Sequence, residues 1–547
     1  LMRHFATESG KSKGQFYTPS EVSQVIAKII GTGSANRRGQ TVYDPTCGSG
    51  SLLLKVADEA PSGVTIYGQE IDVATRAMAK MNMMLHENED AIIEREDTIS
   101  EPKFKDNGKL KEFDFAVSNP PFSTKAWSSG IKPENDEYKR FDGFDIPPKK
   151  NGDYAFLLHL IKSLKPTGKG AIILPHGVLF RGGTESIIRK NLINRGYIKG
   201  IIGLPPNLFY VTGIPACIIV TDKENAESRK GIFLIDASKG FVKDGNKNRL
   251  QAKDIHKIVD VFTNQIEIPK FSRMVPVSEI SDDKNEYNLN IPRYIDSQEE
   301  EDIQDIEAHL KGDIPKKDID DLNQYWEVYP NIRQTLFAPS KRKNYESLIV
   351  DNSEIKTIIF EHDEFKKYSE KINKTYSEWK KINLSVLIKI KVGTNPKKLI
   401  SEISESVLDK FSKVKLIDKY DVYQHLMTYW EETMQDDLYL ISQNGWNVSL
   451  FKVKNKKGIE TKEWDSELIP KDIVIRKYFV KQQEELDDLQ SNLENKEQQM
   501  QTIDEENQGE EDMLSEAKSN AGNVSDTIIK KRIKEIEKDF KNEEELK

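Results

Sequence analysis

Between about residue 15 and residue 240 the sequence alternates short β-branched runs with segments of helical periodicity. Such runs are typical of buried strands, and apolar residues spaced by three and four are typical of amphipathic helices. The alternation predicts a mostly parallel sheet with helices on both faces, which binds ligands beyond the carboxyl ends of its strands. The predicted strands are Thr41–Tyr43, Thr65–Tyr67, Phe113–Val117, Ala171–Leu174, Ile198–Ile202 and Ala216–Val220.

The 547 residues are enough for several domains. We expect the end of a truncated helical region and the start of a cofactor site at 1–20, and a catalytic domain at 21–300. A mixed region of unknown role follows at 301–478, and the α-rich C-terminal region ends in an acidic helical hairpin or coiled-coil arm at 479–547. A heptad pattern marks this arm, at Phe479, Leu486, Leu493 and Met500. A charged helix packed on the protein's own body explains the pattern as well as a partner-binding helix does.

Charge and cysteine content exclude several classes of protein. The net charge is −9, but residues 481–547 alone hold 10 basic and 20 acidic residues, so the rest of the chain is close to neutral. Nucleic acid would therefore have to bind at a local patch or through a partner. Two cysteines exclude a disulfide scaffold and a cysteine-cluster zinc site. No apolar run has the length of a membrane span, so we expect a cytoplasmic protein with no membrane contact. The eight histidines are scattered and none pairs at metal-ligand spacing, so we expect no metal site.

The first motif is a helix start with the sequence Gln15-Phe16-Tyr17-Thr18-Pro19-Ser20. Thr18 is a favourable N-cap residue, Pro19 suits the first helical position, and Glu21 would complete a capping box. Phe16 and Tyr17 then lie just before a helix N-terminus. Aromatic packing at a helix start is the alternative interpretation.

The second motif is a turn after the first predicted strand, Asp44-Pro45-Thr46-Cys47-Gly48-Ser49-Gly50. Gly48 and Gly50 allow positive φ and a close approach of the backbone to a ligand. Asp44 stands at the strand end, where a carboxylate can meet a cationic or amino group but would repel a pyrophosphate. The motif therefore favours an amino-acid-like ligand, and a plain tight turn is the alternative.

Two further acidic residues stand at positions where a nucleoside could bind. Glu70 ends the second predicted strand, where a carboxylate can accept hydrogen bonds from ribose hydroxyls. Asp97 could similarly meet an adenine amino group. The alternatives are a solvated carboxylate at Glu70, a helix N-cap at Asp72 and a surface-loop aspartate at Asp97.

The strand predicted at 113–117 runs almost directly into the sequence Asn119-Pro120-Pro121-Phe122. The two prolines remove two backbone donors and stiffen the turn. The Asn119 amide oxygen and the Pro120 carbonyl could then accept both hydrogens of an exocyclic amine, while Phe122 stacks on its ring. Asn-Pro-Pro in isolation is often only a turn, but its place at a strand end gives it specificity.

These motifs, in this order, resemble those of the amino-group DNA methyltransferases that use S-adenosylmethionine and make N6-methyladenine. More narrowly, the sequence resembles the modification subunit of type I restriction–modification systems. The resemblance covers about residues 1–300 and continues through the segments 152–154, 172–180, 201–205 and 209–215. It implies an α/β fold of the Rossmann-like methyltransferase type.

The resemblance also implies functional residues and partners. The cofactor-binding residues carried over for S-adenosyl-L-methionine are Gln15, Phe16, Tyr17, Thr18, Pro19, Ser20, Asp44, Gly48, Ser49, Gly50, Glu70 and Asp97. The catalytic residues carried over for a flipped adenine are Asn119, Pro120, Pro121 and Phe122. The implied partners are double-stranded DNA, a specificity subunit, a second methyltransferase copy and an ATP-dependent restriction subunit.

The segment Ser123–Lys150 shows no apolar periodicity and contains several cations, Lys139 and Arg140 among them. Loops of this length are usually functional or disordered, and we expect this one to close over DNA. Two other functions remain open: a stand-alone or phage-defence adenine methyltransferase that reads DNA through residues 300–480, and a non-catalytic assembly scaffold. A nicotinamide-dependent oxidoreductase is disfavoured because the glycine spacing differs from GxGxxG.

Overall fold

The computed structural model describes residues 17–34, 39–209, 213–298, 304–506 and 526–545. Gln15 and Phe16 of the predicted cofactor segment lie outside the described residues. The chain forms two compact units, Leu1–Ile388 with Lys397–Glu432 and Lys389–Pro396 with Thr433–Lys547. The domain limits expected at residues 300 and 478 stay a prediction.

A nine-stranded sheet forms the core of the first unit. Its strands are β1 Thr41–Asp44, β2 Thr65–Glu70, β3 Ile92–Arg95, β4 Phe113–Ser118, β5 Leu164–Pro175, β6 Ile198–Gly203, β7 Ala216–Asp222, β8 Gly231–Asp236 and β9 Ser272–Pro276. Their order across the sheet is β3-β2-β1-β4-β5-β7-β6-β8-β9. Neighbouring strands are parallel except where β7 meets β5 and β6 and where β9 meets β8. All six predicted strands are present, and the α/β class is confirmed.

Helices cover both faces of this sheet. They are α1 Ser20–Ile29, α2 Ser51–Asp58, α3 Val73–Leu85, α4 Asp153–Lys162, α5 Thr184–Asn194 and α6 Ala252–Asn264. Successive side chains of a strand point to opposite faces, so Ile173 packs in the cluster with α1, α2, α3 and α6, whereas Ile172 packs with α4 and α5. Two apolar layers therefore enclose the sheet.

The first unit also contains short hairpins, further helices and a small second sheet. Two-stranded hairpins pair Lys105–Asp106 with Lys109–Leu110 and Val242–Asp244 with Lys247–Arg249. Short 3-10 helices occupy Thr32–Ser34, Pro133–Asn135, His176–Leu179, Ala226–Ser228 and Ile291–Arg293. The helices that follow the sheet in the first unit are Val277–Ile280, Ile306–Lys311, Lys316–Asp320, Asn323–Trp326, Pro330–Leu336, Ile355–Glu361, Asp363–Leu387, Pro396–Phe411 and Lys419–Tyr429. A small antiparallel sheet joins Ile314–Pro315, Tyr345–Leu348 and Phe337–Pro339.

The helix Lys419–Tyr429 packs on α6 of the sheet layer. Asp260 of α6 accepts hydrogen bonds from the Lys419 ammonium at 2.8 Å and from the Tyr420 hydroxyl at 2.6 Å. This contact makes part of the region after residue 300 continuous with the sheet unit.

The second unit is mainly helical, as the sequence predicts for the C-terminal region. Its elements are the helices Gln435–Asn444, Lys471–Tyr478, Val480–Glu506 and Asp526–Glu545, and a hairpin of Leu450–Lys454 with Glu460–Ser466. A π-helical turn over Trp430–Met434 includes the boundary between the two units at Glu432. Much of the heptad seam is exposed, with 55% of Leu486, 58% of Leu493 and 51% of Met500 accessible. Whether the seam pairs in a coiled coil stays a prediction. Among the described residues, no helix is both long and apolar enough to cross a bilayer.

Candidate functional site

The sheet order reverses at β1, which lies between β2 and β4. Crevices for ligands form at such switch points, beyond the carboxyl ends of the strands. A cavity of about 190 Å³ lies here. It is lined by seven residues predicted from the sequence, Thr18, Asp44, Gly48, Glu70, Asp97, Asn119 and Pro121. Chain segments that are distant in sequence thus meet at one point.

The glycine-rich turn after β1 shapes one wall of this cavity. Gly48 and Gly50 have φ of 54° and 76°, a region that favours glycine. The Gly48 N–H donates to Glu70 Oε2 at 3.0 Å. A Cβ on Gly50 would lie 2.7 Å from the Met83 Cε. The turn therefore needs glycine both for its backbone angles and for its fit against α3.

Asp44 is almost fully buried at the end of β1. Its Oδ1 accepts a hydrogen bond from the Thr46 N–H at 2.9 Å. Burial, with the nearby charge of Glu70 as a further cause, raises the pKa of Asp44 to about 8. A ligand that carries a positive charge would favour the ionised carboxylate.

Glu70 lies at the end of β2 and is also buried. Its two oxygens accept the N–H groups of Gly48 at 3.0 Å and of Asp72 at 2.9 Å. Burial raises the pKa of Glu70 above its usual value. Glu70 is therefore not a solvated carboxylate, whereas Asp72 does cap α3 by accepting the Thr75 N–H at 2.8 Å.

Asp97 also lines the cavity. Its Oδ1 accepts hydrogen bonds from the N–H groups of Ile99 at 2.7 Å and of Ser100 at 3.0 Å. These bonds fix the turn after β3 and hold the carboxyl group at the cavity.

The sequence Asn119-Pro120-Pro121-Phe122, here called the elbow, follows β4 directly. The Asn119 amide nitrogen donates to the Thr18 hydroxyl at 3.1 Å. The amide oxygen is the only acceptor of this side chain, and the bond to Thr18 fixes the orientation of the amide plane. The Phe122 ring packs edge-on against Phe209, with the ring centroids 5.8 Å apart.

The capping box expected before α1 does not form. The helix begins at Ser20 after Pro19, and no side chain caps its N-terminus. The Thr18 hydroxyl accepts from Asn119 instead. Thr18 has the sequence position of a local helix cap, but its hydroxyl instead bonds a residue 101 positions later in the chain.

Several predicted residues lie away from the small cavity. Tyr17 and Ser20 line a larger cavity of about 1490 Å³, which is bordered by α1, α6 and the helices Pro396–Phe411 and Lys419–Tyr429. Ser49 holds the turn through its carbonyl, which accepts from the Asn82 amide at 3.0 Å. The other predicted residues absent from the lining of the small cavity are Pro19, Gly50, Pro120 and Phe122.

The segment Ser123–Lys150 is folded against the sheet unit, and its expected closure over DNA stays a prediction, but its Arg140 is buried and is not available for a DNA contact. The Arg140 guanidinium is buried, pairs with Asp136 at 2.5 Å and donates to the Ile99 carbonyl at 2.8 Å. Trp127 and Phe141 of the same segment pack in the core. Irregular spacing concealed these buried residues from any test for periodicity. Lys139 is exposed, and its contact with DNA stays a prediction.

Sequence reasoning missed a buried polar chain beside the cavity. The Tyr43 hydroxyl lies 3.1 Å from the Thr98 hydroxyl and 3.2 Å from His159 Nε2. His159 Nδ1 lies 3.4 Å from Arg140, and burial holds the pKa of His159 well below its usual value. The chain links the cavity wall to the segment after the elbow. No local motif marks these isolated residues, so only the fold reveals them.

This arrangement suits a small ligand that has both cationic and hydroxyl groups. Asp44 and Glu70 supply buried carboxylates, and the glycine turn brings the backbone close. Asn119 supplies a neutral acceptor at the same cavity. In the described part of the chain, no group of three histidine, cysteine or acidic residues could hold a metal ion.

Comparisons with known proteins point to one family. A model described as N-6 DNA Methylase matches residues 1–303. The methylase subunit of the type I restriction enzyme MpnII from Mycoplasma pneumoniae is 35% identical over 347 residues, which is 61% of this chain and 63% of that protein. The MjaVII methylase subunit from Methanocaldococcus jannaschii is 34% identical over 341 residues, 59% of this chain and 57% of its own length.

A solved structure gives the same result. The crystal structure of the methyltransferase subunit of a type I restriction–modification system from Streptococcus thermophilus is 39% identical, with a TM-score of 0.50. The match covers 55% of this chain and 62% of that one. The chain thus spans about six tenths of the length of these relatives, and the resemblance inferred from the motifs is confirmed.

Proposed function

The chain belongs to the N-6 DNA methylase family, and on that premise we propose that it transfers a methyl group from S-adenosylmethionine to N6 of a flipped adenine in double-stranded DNA. We propose further that it does so as the modification subunit of a type I restriction–modification complex. The main support is the single cavity that gathers Asp44, Glu70 and Asn119 at the switch point of the sheet.

The residues of the cavity fit this cofactor. S-adenosylmethionine, when bound, supplies an electrophilic methyl carbon on a sulfonium, together with an amino-acid group and a ribose. Asp44 is a buried carboxyl that a cation would stabilise in its ionised form, and Glu70 has the position of a ribose acceptor. Asp97 is the proposed acceptor for the adenine amino group of the cofactor. Gly48 keeps the backbone near the ligand without a side chain between them.

The elbow would prepare the amino group of the target base. Adenine N6 is a poor nucleophile because its lone pair is delocalised into the ring. Hydrogen bonds from N6 to the Asn119 amide oxygen and the Pro120 carbonyl would localise that lone pair. Asn119 is neutral and therefore orients and polarises the amine without acting as a strong base. The methyl–sulfur bond would break as the N6–carbon bond forms, with its electron pair staying on the sulfur of the departing thioether. The surplus N6 proton would leave to solvent afterwards. The contact with Thr18 fixes which end of the amide faces the ligand.

The target adenine must leave the duplex to reach the elbow. Unstacking costs a few kcal/mol, and stacking on an aromatic ring returns about 1–3 kcal/mol per base. Phe122 is the proposed stacking ring, held edge-on by Phe209. Phe122 therefore offsets part of the cost, and protein contacts to the displaced strand supply the rest.

The direct test is methyl transfer from labelled S-adenosylmethionine to unmethylated plasmid DNA, with the candidate specificity subunit present and absent. N6-methyladenine identified by mass spectrometry is the expected product. Asn119→Ala should abolish transfer and keep cofactor affinity within about threefold. Asn191→Ala, at a half-buried asparagine that bonds the Phe144 carbonyl, is the matched control and should stay active. A wild-type complex that binds cofactor and DNA but makes no N6-methyladenine would refute the proposal.

The partners are also part of the proposal. The exposed seam of Val480–Glu506 is the proposed contact for the specificity subunit, which would carry DNA recognition for a nearly neutral body. A second methyltransferase copy and the restriction subunit would complete the complex.

Leu489→Glu with Leu493→Glu should abolish co-purification of the specificity subunit, whereas the exposed control pair Gln490→Glu and Gln498→Glu should not. Retained assembly in the leucine variant would exclude this surface. Strong, site-specific DNA binding by the isolated chain would instead favour a stand-alone methyltransferase.

A further inference from the structure

The first residues of α4 hold the two residues that follow the elbow. Ser123 has a φ of 53°, and its N–H donates to Asp153 Oδ1 at 2.7 Å. The Gly152 N–H donates to the Thr124 carbonyl at 3.0 Å, and the Thr124 hydroxyl donates back to the Pro121 carbonyl at 3.0 Å. Adjacent residues at one helix start thus bond both residues after the elbow.

Asp153 is fully buried and needs a counter-charge. Arg181 provides it, with one guanidinium nitrogen 3.0 Å from Asp153 Oδ2 and 3.1 Å from Glu185 Oε1. A Cβ on Gly177 would lie 2.4 Å from the Arg181 Nε, so a side chain there would displace the guanidinium. The position of Asp153 is therefore determined by residues outside the elbow.

The elbow is thus fixed at both ends. At one end Asn119 bonds Thr18, and at the other the Ser123 N–H bonds Asp153. A non-glycine residue with positive φ is unfavourable by about 1–3 kcal/mol and persists only where its surroundings impose it. The buried carboxylate supplies that constraint one residue after the proposed stacking ring.

We propose that Asp153 is a positioning residue for methyl transfer, acting through the Ser123 N–H on the elbow, with Arg181 as its counter-ion. The proposal rests on the proposed adenine methyltransferase function. It concerns residues that do not line the cofactor cavity. A displacement of reacting groups by about 1 Å can reduce a rate about a hundredfold, so the effect should fall on kcat.

The first test compares variants of the 547-residue chain purified with the candidate specificity subunit. Asp153→Ala should lower kcat about a hundredfold, while the dissociation constant of S-adenosylmethionine changes less than threefold. Asp153→Asn keeps an oxygen that can accept from Ser123 and should restore kcat to within about tenfold of the wild type. Loss of cofactor affinity in both variants would overturn the proposal, because the role would then be structural.

Asp222→Ala is the matched control. Asp222 is also buried, accepts a backbone N–H from Glu224 at 3.0 Å and lies 3.5 Å from Lys199. It ends β7, which runs antiparallel to its neighbours, so it lies at the edge of the sheet opposite the cavity. Both alanine variants lose a buried, ion-paired carboxylate, but only Asp153→Ala should lose activity. A kcat for Asp153→Ala within threefold of that for Asp222→Ala would overturn the proposal.

A second measurement needs no turnover. Amide hydrogen exchange on the unliganded chain reports local opening. The peptide that covers residues 119–126 should exchange at least tenfold faster in Asp153→Ala than in the wild type, and at the wild-type rate in Asp222→Ala. Faster exchange with an unchanged kcat would also overturn the positioning role. If the wild-type complex makes no N6-methyladenine, the proposed function fails, and the exchange result still decides whether Asp153 holds the elbow.

If Asp153→Ala does not fold, Arg181→Gln tests the same proposal. The Arg181 side chain is 28% exposed, so water can reach the site, and the glutamine amide can still donate a hydrogen bond to Asp153 or Glu185. The variant should reduce kcat about tenfold, keep its cofactor affinity and raise exchange in the same peptide. Wild-type kcat in Arg181→Gln would overturn the role of the counter-ion.

Discussion

The raised pKa of Asp44 predicts that the proposed binding of S-adenosylmethionine depends on pH. With a pKa of about 8 in the unliganded protein, only about 1% of this carboxyl is ionised at pH 6, against about half at pH 8. A cationic ligand prefers the ionised form, so each pH unit below the pKa reduces affinity about tenfold, or about 1.4 kcal/mol. Between pH 6 and pH 8 the affinity for S-adenosylmethionine should therefore rise about fiftyfold, close to 2.3 kcal/mol.

Isothermal titration of S-adenosylmethionine into the full-length chain, at half-unit steps of pH and constant ionic strength, measures this dependence. Repeating each titration in buffers of different ionisation enthalpy should show that close to one proton is released at pH 6. Asp44→Asn cannot ionise, so its affinity should be lower at pH 8 and nearly independent of pH. Equal slopes in Asp44→Asn and the wild type, or an affinity that falls as the pH rises, would refute the reasoning.

Three further outcomes follow from the same structure. Burial raises the pKa of Asp44, so its contribution to the stability of the unliganded chain is greatest below about pH 4 and is lost as the pH rises towards 8. The melting temperature of Asp44→Asn should therefore change less than that of the wild type between pH 4 and pH 8. Gly50→Ala should lower the free energy of unfolding, measured by urea titration, by about 1–2 kcal/mol. The reason is that Gly50 has a φ of 76° and that the new Cβ would lie close to the Met83 side chain. Arg140→Ala should lower it by about 3–5 kcal/mol, because Asp136 would keep a buried charge without its partner; a loss below 1 kcal/mol would contradict the burial described above.

The sequence predicts the sheet well where a strand is a continuous buried run. Ala216–Val220 and Ala171–Leu174 are such runs, and both form strands. The edge strand β3, Ile92–Arg95, has only two apolar residues and gives no comparable signal. Strand ends also predict where the cavity lies, since residues there must meet at one edge of a parallel sheet.

Contacts over long sequence separation were beyond prediction. Arg140 has the residue type of a DNA contact, and only the fold shows that it is buried and donates to the carbonyl of Ile99, 41 positions earlier in the chain. Thr18 has the residue type and position of a helix N-cap, yet its hydroxyl accepts a hydrogen bond from the Asn119 amide. In both cases a tertiary partner replaces the role that the local sequence favours.

The antiparallel strand β7, inserted between β5 and β6, has a consequence for how this architecture can diversify. Because β7 runs in the reverse direction, the connection from β6 begins and ends at the edge where the elbow lies, and it carries Phe209 to Phe122. The carboxylates of β1 and β2 lie on the other side of β4 in the sheet. Surface connections tolerate insertions and substitutions better than the strands that they join. Evolution or protein engineering could therefore reshape the surroundings of the proposed target-base site by altering this one connection, while the proposed cofactor site stays intact.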